Sequence, residues 1–173
     1  MRSRILRGLG SGLMAAGLMA LLLSGCSSTS GTSAFGSNKL AVAELSDPGS
    51  YTAESALASA KASFRNNDFG NAAALYKRAA ELGPKNPDAF VGLAASYDRL
   101  RRFDLSDRVY ASLFELTGGT VQYFNNVGYS YLLRGNLSAA LTNFRKAGKL
   151  DPDNLVVANN IQIVENAAKQ IKA

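Results

Sequence analysis

The chain has no histidine, no tryptophan and only one cysteine, Cys26, in 173 residues. Without histidine there is no Ser-His-Asp triad, no Cys-His pair and no imidazole metal ligand. A single cysteine can neither close an internal disulfide nor build a Cys-rich zinc site. No segment alternates as a strand would, and no glycine-rich loop follows a strand. Gly118-Gly119 reads as a turn between helices rather than a phosphate cradle. The carboxylates are scattered along exposed helix faces. These absences argue against an enzyme and imply no cofactor, metal or small-molecule substrate. No Lys/Arg block is dense enough for a nucleic-acid face. The nearest, Arg99, Arg101 and Arg102, reads as a solvated helix end and loop.

What is present begins with an address. Arg2, Arg4 and Arg7 precede an apolar run from Leu9 to Leu23, diluted by Gly10, Gly12 and Gly17. The run is too short for a comfortable membrane span and ends in small residues, as a cleavable leader does. Its last four residues, Leu23-Ser24-Gly25-Cys26, resemble the lipobox of bacterial lipoproteins. The resemblance implies a signal peptide over 1–25, cleavage before Cys26, a diacylglyceryl thioether on Cys26 and acylation of the new amino end. Two or more acyl chains, at about 0.8 kcal/mol per buried methylene, anchor a protein stably where one would not. Without the three leader arginines, 16 Lys and Arg face 13 Asp and Glu, so the net charge falls from +6 to +3.

Residues 26–50 read as the lipidated cysteine and a flexible Ser/Thr/Gly tether. The stretch Ser27-Ser28-Thr29-Ser30-Gly31-Thr32-Ser33 cannot bury enough apolar surface to fold. A coil of about 24 residues reaches roughly 25–30 Å. Lys39 to Leu45 could form a helical turn that Asp47-Pro48-Gly49 stops. By the sorting rule of enterobacterial lipoproteins, Ser27 after the lipidated cysteine favours the outer membrane.

From residue 51 to 173 the chain repeats with a period of 34: units 53–86, 87–120 and 121–154. Place 8 holds Ala60, Ala94 and Gly128; place 20 holds Ala72, Ser106 and Ala140; place 27 holds Ala79, Leu113 and Ala147. Place 24 holds Tyr76, Tyr110 and Phe144, and place 17 holds Phe69, Phe103 and Leu137. Small residues at places 8 and 20 let two antiparallel helices approach closely. The aromatic at place 24 fills the gap between repeats, and Pro84 and Pro152 stop the second helix. This pattern resembles the tetratricopeptide repeat (TPR), best in the third unit, where Phe124, Asn126, Val127, Gly128 and Tyr131 match the family's opening. The second unit departs at Leu113 and at Gly118, which stands in place of Pro. Residues 155–173 keep the register. Ile161, Val164, Ala168 and Ile171 make an apolar stripe opposite Gln162, Glu165, Lys169 and Lys172, as a capping helix should. The expected fold is all-α: a TPR solenoid of three helix-turn-helix repeats plus a C-terminal cap. The helices are predicted over 52–66, 71–82, 88–100, 105–116, 121–134, 138–150 and 155–171.

In the TPR family, places 2, 5, 9, 12 and 13 of each first helix face a concave groove. Carried over, they are Glu54, Leu57, Lys61, Phe64 and Arg65; Asp88, Val91, Ala95, Asp98 and Arg99; Gln122, Asn125, Tyr129, Leu132 and Leu133. Of these, Lys61, Phe64, Arg65, Asp98, Arg99, Asn125, Tyr129 and Leu132 are the candidate partner-binding residues. The groove is cationic at one end and apolar at the other, which suits a peptide or helix of a protein partner. A Lys/Asn/Arg clamp on a terminal carboxylate is excluded. Asn126 could supply its amide, but Val156 and Asn160 stand where the cations should be. The pairs Asn125-Asn126 and Asn159-Asn160 instead suggest hydrogen bonds between neighbouring helices or to a ligand backbone.

A lipobox, a short tether and three such repeats resemble the TPR lipoproteins of Tad/Flp pilus systems, the TadD type. The run Asn125 to Asn136 and the pair Asn159-Asn160 carry the likeness. It implies a lipid-anchored, periplasm-facing adaptor that assists assembly of the outer-membrane pilus secretin. Adaptors for cell-wall hydrolases and for outer-membrane protein assembly are the alternatives.

Overall fold

The computed structural model describes residues 41–172, and side chains as far as Gln170. The leader, Cys26 and the first part of the tether, for which export, lipidation and flexibility were expected, lie outside the described residues. So does the side chain of Ile171. After a short 3-10 turn at Pro48–Ser50 come seven α-helices among the described residues. They are α1 Ala53–Arg65, α2 Phe69–Leu82, α3 Pro87–Arg99, α4 Phe103–Thr117, α5 Val121–Leu133, α6 Leu137–Leu150 and α7 Leu155–Lys172. None is long and apolar enough to cross a membrane.

Capping side chains recur with the repeat. Each first helix starts after a residue at place 34 whose side chain accepts from a backbone N–H inside the helix. Thr52 accepts from Ser55 at 3.1 Å, Asn86 from Asp88 at 3.1 Å, Thr120 from Tyr123 at 3.1 Å and Asn154 from Val157 at 3.2 Å. Asp68 and Asn136, at place 16, do the same for α2 and α6. The second helices start at 69, 103 and 137, one or two residues earlier than the sequence suggested, and only α4, preceded by Arg102, has no capping side chain. Each first helix ends at place 15 in a left-handed residue: Asn67 and Arg101 at φ 58° and Gly135 at φ 76°.

Helices pack in pairs and the pairs stack in chain order. A Cβ on Gly128 would lie 2.7 Å from the Phe144 ring, so only glycine lets α5 rest on α6. Tyr76 fills the gap to the next repeat against Gly92, and Tyr110 and Phe144 are likewise buried. At the C-terminal end, Val157 and Val164 of α7 are buried, with Ile161 and Ala168 partly so. Ile161, Val164 and Ala168 of the expected stripe face the array, and Val157 lengthens it.

The N-terminal end differs from expectation. Residues 41–45, part of the stretch read as flexible tether and as a helical turn, run non-helically alongside α2. Val42, Leu45 and Tyr51 pack on the cluster formed by Ala60, Ala73, Leu75 and Tyr76. The Ala43 amide donates to the Gly70 carbonyl at 3.2 Å. A Cβ on Gly70 would come within 2.4 Å of the Ala41 carbonyl oxygen, so glycine is what admits the segment. The physical reason is the bare apolar end of a repeat array, which Val42 and Leu45 cover as α7 covers the other end.

Candidate functional site

The first helices of the repeats, with α7, form one side of the ribbon. Between α1, α3 and α5 lies a pocket of about 190 Å³. Phe64, Ala95 and Leu133 supply apolar walls, Arg99 and Tyr129 its rim, and Asp98, Tyr110 and Asn126 polar atoms. Sites for small molecules run to about 300–1,000 Å³, so this volume suits one large side chain of a partner. Tyr129 is 43% exposed, the most open aromatic in the pocket. Phe64 meets Phe69 edge to face at 5.2 Å, and the Arg99 guanidinium lies 4.3 Å over the Phe69 ring.

The pocket thus brings together four of the eight candidate residues: Phe64, Asp98, Arg99 and Tyr129. The others stand apart from it. Lys61 is exposed and bonded to Asp88 at 2.9 Å across the first two repeats. Arg65 is exposed in the last turn of α1. Asn125 accepts from the Asn160 amide at 2.8 Å, a bond between α5 and α7 of the kind the paired asparagines suggested. Leu132 packs against Phe144 and Val164 beneath α7 rather than standing open in the groove.

Asp98 also departs from an open groove position, being only 3% exposed. Its carboxylate accepts from Ser130 Oγ at 2.6 Å and Tyr110 Oη at 2.9 Å. Burial pushes this carboxyl above the usual range, while the bonds from Ser130, Ser106 and Tyr110 and the nearby Arg134 charge pull it back. Burial and the Asp98 charge push the Tyr110 phenol far up, so it stays a donor. Arg134 donates to Ser130 Oγ at 2.9 Å and to Asp107 Oδ2 at 2.9 Å, and lies over the rings of Phe103 and Tyr131. The hydrogen bonds to Asp107 are the main cause that raises the Arg134 pKa. Asp98 therefore joins repeats two and three, and only its edge reaches the pocket.

Sequence reasoning missed a second concavity, of about 460 Å³, where α4, α5 and α6 meet. Phe114, Tyr123, Phe124 and Tyr131 line it, and Lys146 Nζ sits 5.3 Å over the Phe124 ring. The one signal in the sequence was the density of aromatics from Tyr123 to Tyr131. Among the described residues no group of three His, Cys, Asp or Glu could hold a metal ion.

No family model matches the chain. Its fold is similar to that of solved TPR domains. The first TPR domain of human RPAP3 superposes with a TM-score of 0.61 at 18% identity, covering 69% of this chain and 94% of that one. The second TPR domain of human RPAP3, in complex with the HSP70 peptide SGPTIEEVD, gives 0.57 at 18% identity, covering 65% and 94%. The Yersinia enterocolitica type III secretion chaperone SycD, in complex with a peptide of the translocator YopD, gives 0.56 at 15% identity, covering 66% and 93%. With three capped helix pairs in a 34-residue register and a terminal helix over the last, the chain has the fold of a tetratricopeptide-repeat solenoid.

Proposed function

We propose that this chain is a protein-binding adaptor, held to the envelope by lipid on Cys26 and facing the periplasm from the outer membrane. Its partner is a component of an envelope machine, with the secretin of a Tad/Flp-type pilus first in order. The observation that carries the binding role is the pocket beside Tyr129: an aromatic with a polar tip, apolar walls and the Arg99 guanidinium at the rim. The peptide complexes of the similar RPAP3 and SycD domains support a peptide ligand. The anchor rests on Leu23-Ser24-Gly25-Cys26 and the charged, apolar leader before it.

Two experiments test this reading. Cys26→Ser should abolish labelling by a tagged fatty acid; wild-type labelling of the variant refutes the anchor. The full chain, purified in detergent, should bind a purified pilus secretin, and Tyr129→Ala should weaken that binding by roughly 1–2 kcal/mol with helicity unchanged. If the secretin does not bind but a cell-wall hydrolase or an outer-membrane assembly factor does, the adaptor role stands and the pilus assignment falls. Binding indifferent to Tyr129→Ala removes the pocket from the site.

A further inference from the structure

α7 closes the solenoid, yet it leaves apolar side chains open on the side of the first helices. By the 34-residue register, Val156 stands at place 2 and Ile163 at place 9 of an unfinished fourth unit. They are 63% and 46% exposed, although Val157 and Val164, one residue on from each, are fully buried. Place 9 of the preceding unit is Tyr129. The Asn160–Asn125 bond holds α7 beside α5, so Tyr129 and Ile163 become successive steps along one face. A helix that served only as a cap would present polar residues there.

Charge divides the same face. The exposed groove places of α5 and α7 are Gln122, Tyr129, Val156, Asn159, Ile163 and Asn166, with no acidic or basic side chain among them. At the other end Lys61 is neutralised by Asp88, and Arg65 and Arg99, both at place 13, are exposed and in no ion pair among the described residues; the exposed carboxylate of Glu54, at place 2, stands about 16 Å from Arg65 along α1.

Resting on the groove reading above, we infer that α7 is part of the binding site and that the site selects a two-part segment of its partner protein. One part carries two apolar side chains, for the Tyr129 pocket and for Ile163 with Val156; the other carries carboxylates for Arg99 and Arg65. Packed helix axes lie about 8–10 Å apart, a distance an extended chain covers in about three residues. The two apolar side chains therefore stand three residues apart, with acidic residues beginning about three further on. A basic segment is rejected because it would face Arg99 and Arg65 with like charge.

The test is a selection of random 12-residue peptides displayed on phage against the immobilised full chain in detergent. Enriched peptides are then made with a fluorescein label and titrated by anisotropy. The expected consensus is an apolar pair spaced by three next to an acidic block. Ile163→Asp and Arg99→Glu should each weaken the selected peptides at least ten-fold, with circular dichroism unchanged. Ile163→Ser should do so in part, which separates lost contact from added charge. Selection of basic peptides, or affinity indifferent to Ile163→Asp, overturns the inference. If Tyr129→Ala weakens binding and Ile163→Asp does not, the groove ends at repeat three and only this extension fails. If no peptide is enriched, or neither variant matters, the groove reading fails with it.

Discussion

Repeats two and three follow one backbone plan and close their outer seams with opposite chemistry. At place 12, repeat two has Asp98 and repeat three has Leu132; at place 10 of the following unit stand Ser130 and Val164. The aromatic at place 24 follows suit, as Tyr110 and then Phe144. One seam is a carboxylate that accepts from the Ser130 and Tyr110 hydroxyls, the other an apolar contact of Leu132, Phe144 and Val164. The period of small residues and caps sets the stacking, and the seam accepts either filling provided it is consistent. A polar filling is the more exacting, because each buried donor must keep its acceptor.

Swapping one residue between the seams should do the most harm. Asp98→Leu leaves Ser130 without its acceptor and Tyr110 with only the Asn126 carbonyl at 3.4 Å, and Leu132→Asp sets an unpaired carboxylate against Phe144 and Val164. Each should cost about 3 kcal/mol in urea unfolding. A neutral Asp98→Leu would mean that the polar seam holds nothing together.

Converting the whole seam should undo most of that loss. With Asp98→Leu, Ser130→Val and Tyr110→Phe combined, the second seam copies the third and both hydroxyl donors leave with their acceptor, while Arg134 loses Ser130 Oγ and keeps Asp107. Replacing a satisfied buried polar group wholesale is often near neutral, so roughly 2 of the lost 3 kcal/mol should return. Strictly additive losses in the triple variant would show that the seams are not interchangeable.

The pH dependence separates the seams without altering packing volume. The Asp98 carboxyl is raised above its ordinary 3.8 in the folded chain. Between the two values the folded state holds the extra proton, so stability falls as pH rises through that window and is level above it. The facing Arg134 and Tyr110 keep their charge states there, and Asp107 is present in both proteins. Asp98→Asn should therefore remove this fall, read as the difference between wild-type and variant melting curves across acid pH. Exposed Asp104, held low by its hydrogen bond from Arg102, slopes the opposite way and cancels in that difference. Parallel curves would remove the buried carboxyl from the account.

The stacking was legible because it depends on local, recurring features: small residues at places 8 and 20 and an aromatic at 24. The seam was not, since Asp98 finds Ser130 thirty-two residues on, and a polar residue at a groove place reads as open to solvent until its partner is seen. Leu132 was misplaced for the same reason, because α7 covers the side that an isolated repeat would leave bare. The packing of residues 41–45 rests on two apolar side chains, Val42 and Leu45, in a small-residue stretch, too few to make a pattern. The Phe64–Arg99–Tyr129 pocket was legible one residue per repeat, since the register alone brings those three first helices side by side.

The smallest expected effect lies in the turns. Place 15 is left-handed in both repeats, but repeat three has Gly135 there and repeat two has Arg101. A side chain in that region costs about 1–2 kcal/mol. Arg101 recovers part of this by lying 5.5 Å over the Phe103 ring, a contact worth about 0.5 kcal/mol at an exposed site. Glycine at the same place loses more chain entropy on folding, by about 0.5–1 kcal/mol. At the middle of these ranges the balance favours Arg101→Gly by about 0.25 kcal/mol. Gly135→Ala isolates the strain, because nothing lies within 4 Å of the Cβ it would add. Its cost, about 1 kcal/mol, is then conformational alone. Both are small enough to need matched urea curves rather than single melts. If Gly135→Ala is neutral, the two turns tolerate side chains equally and the repeats differ only at their seams.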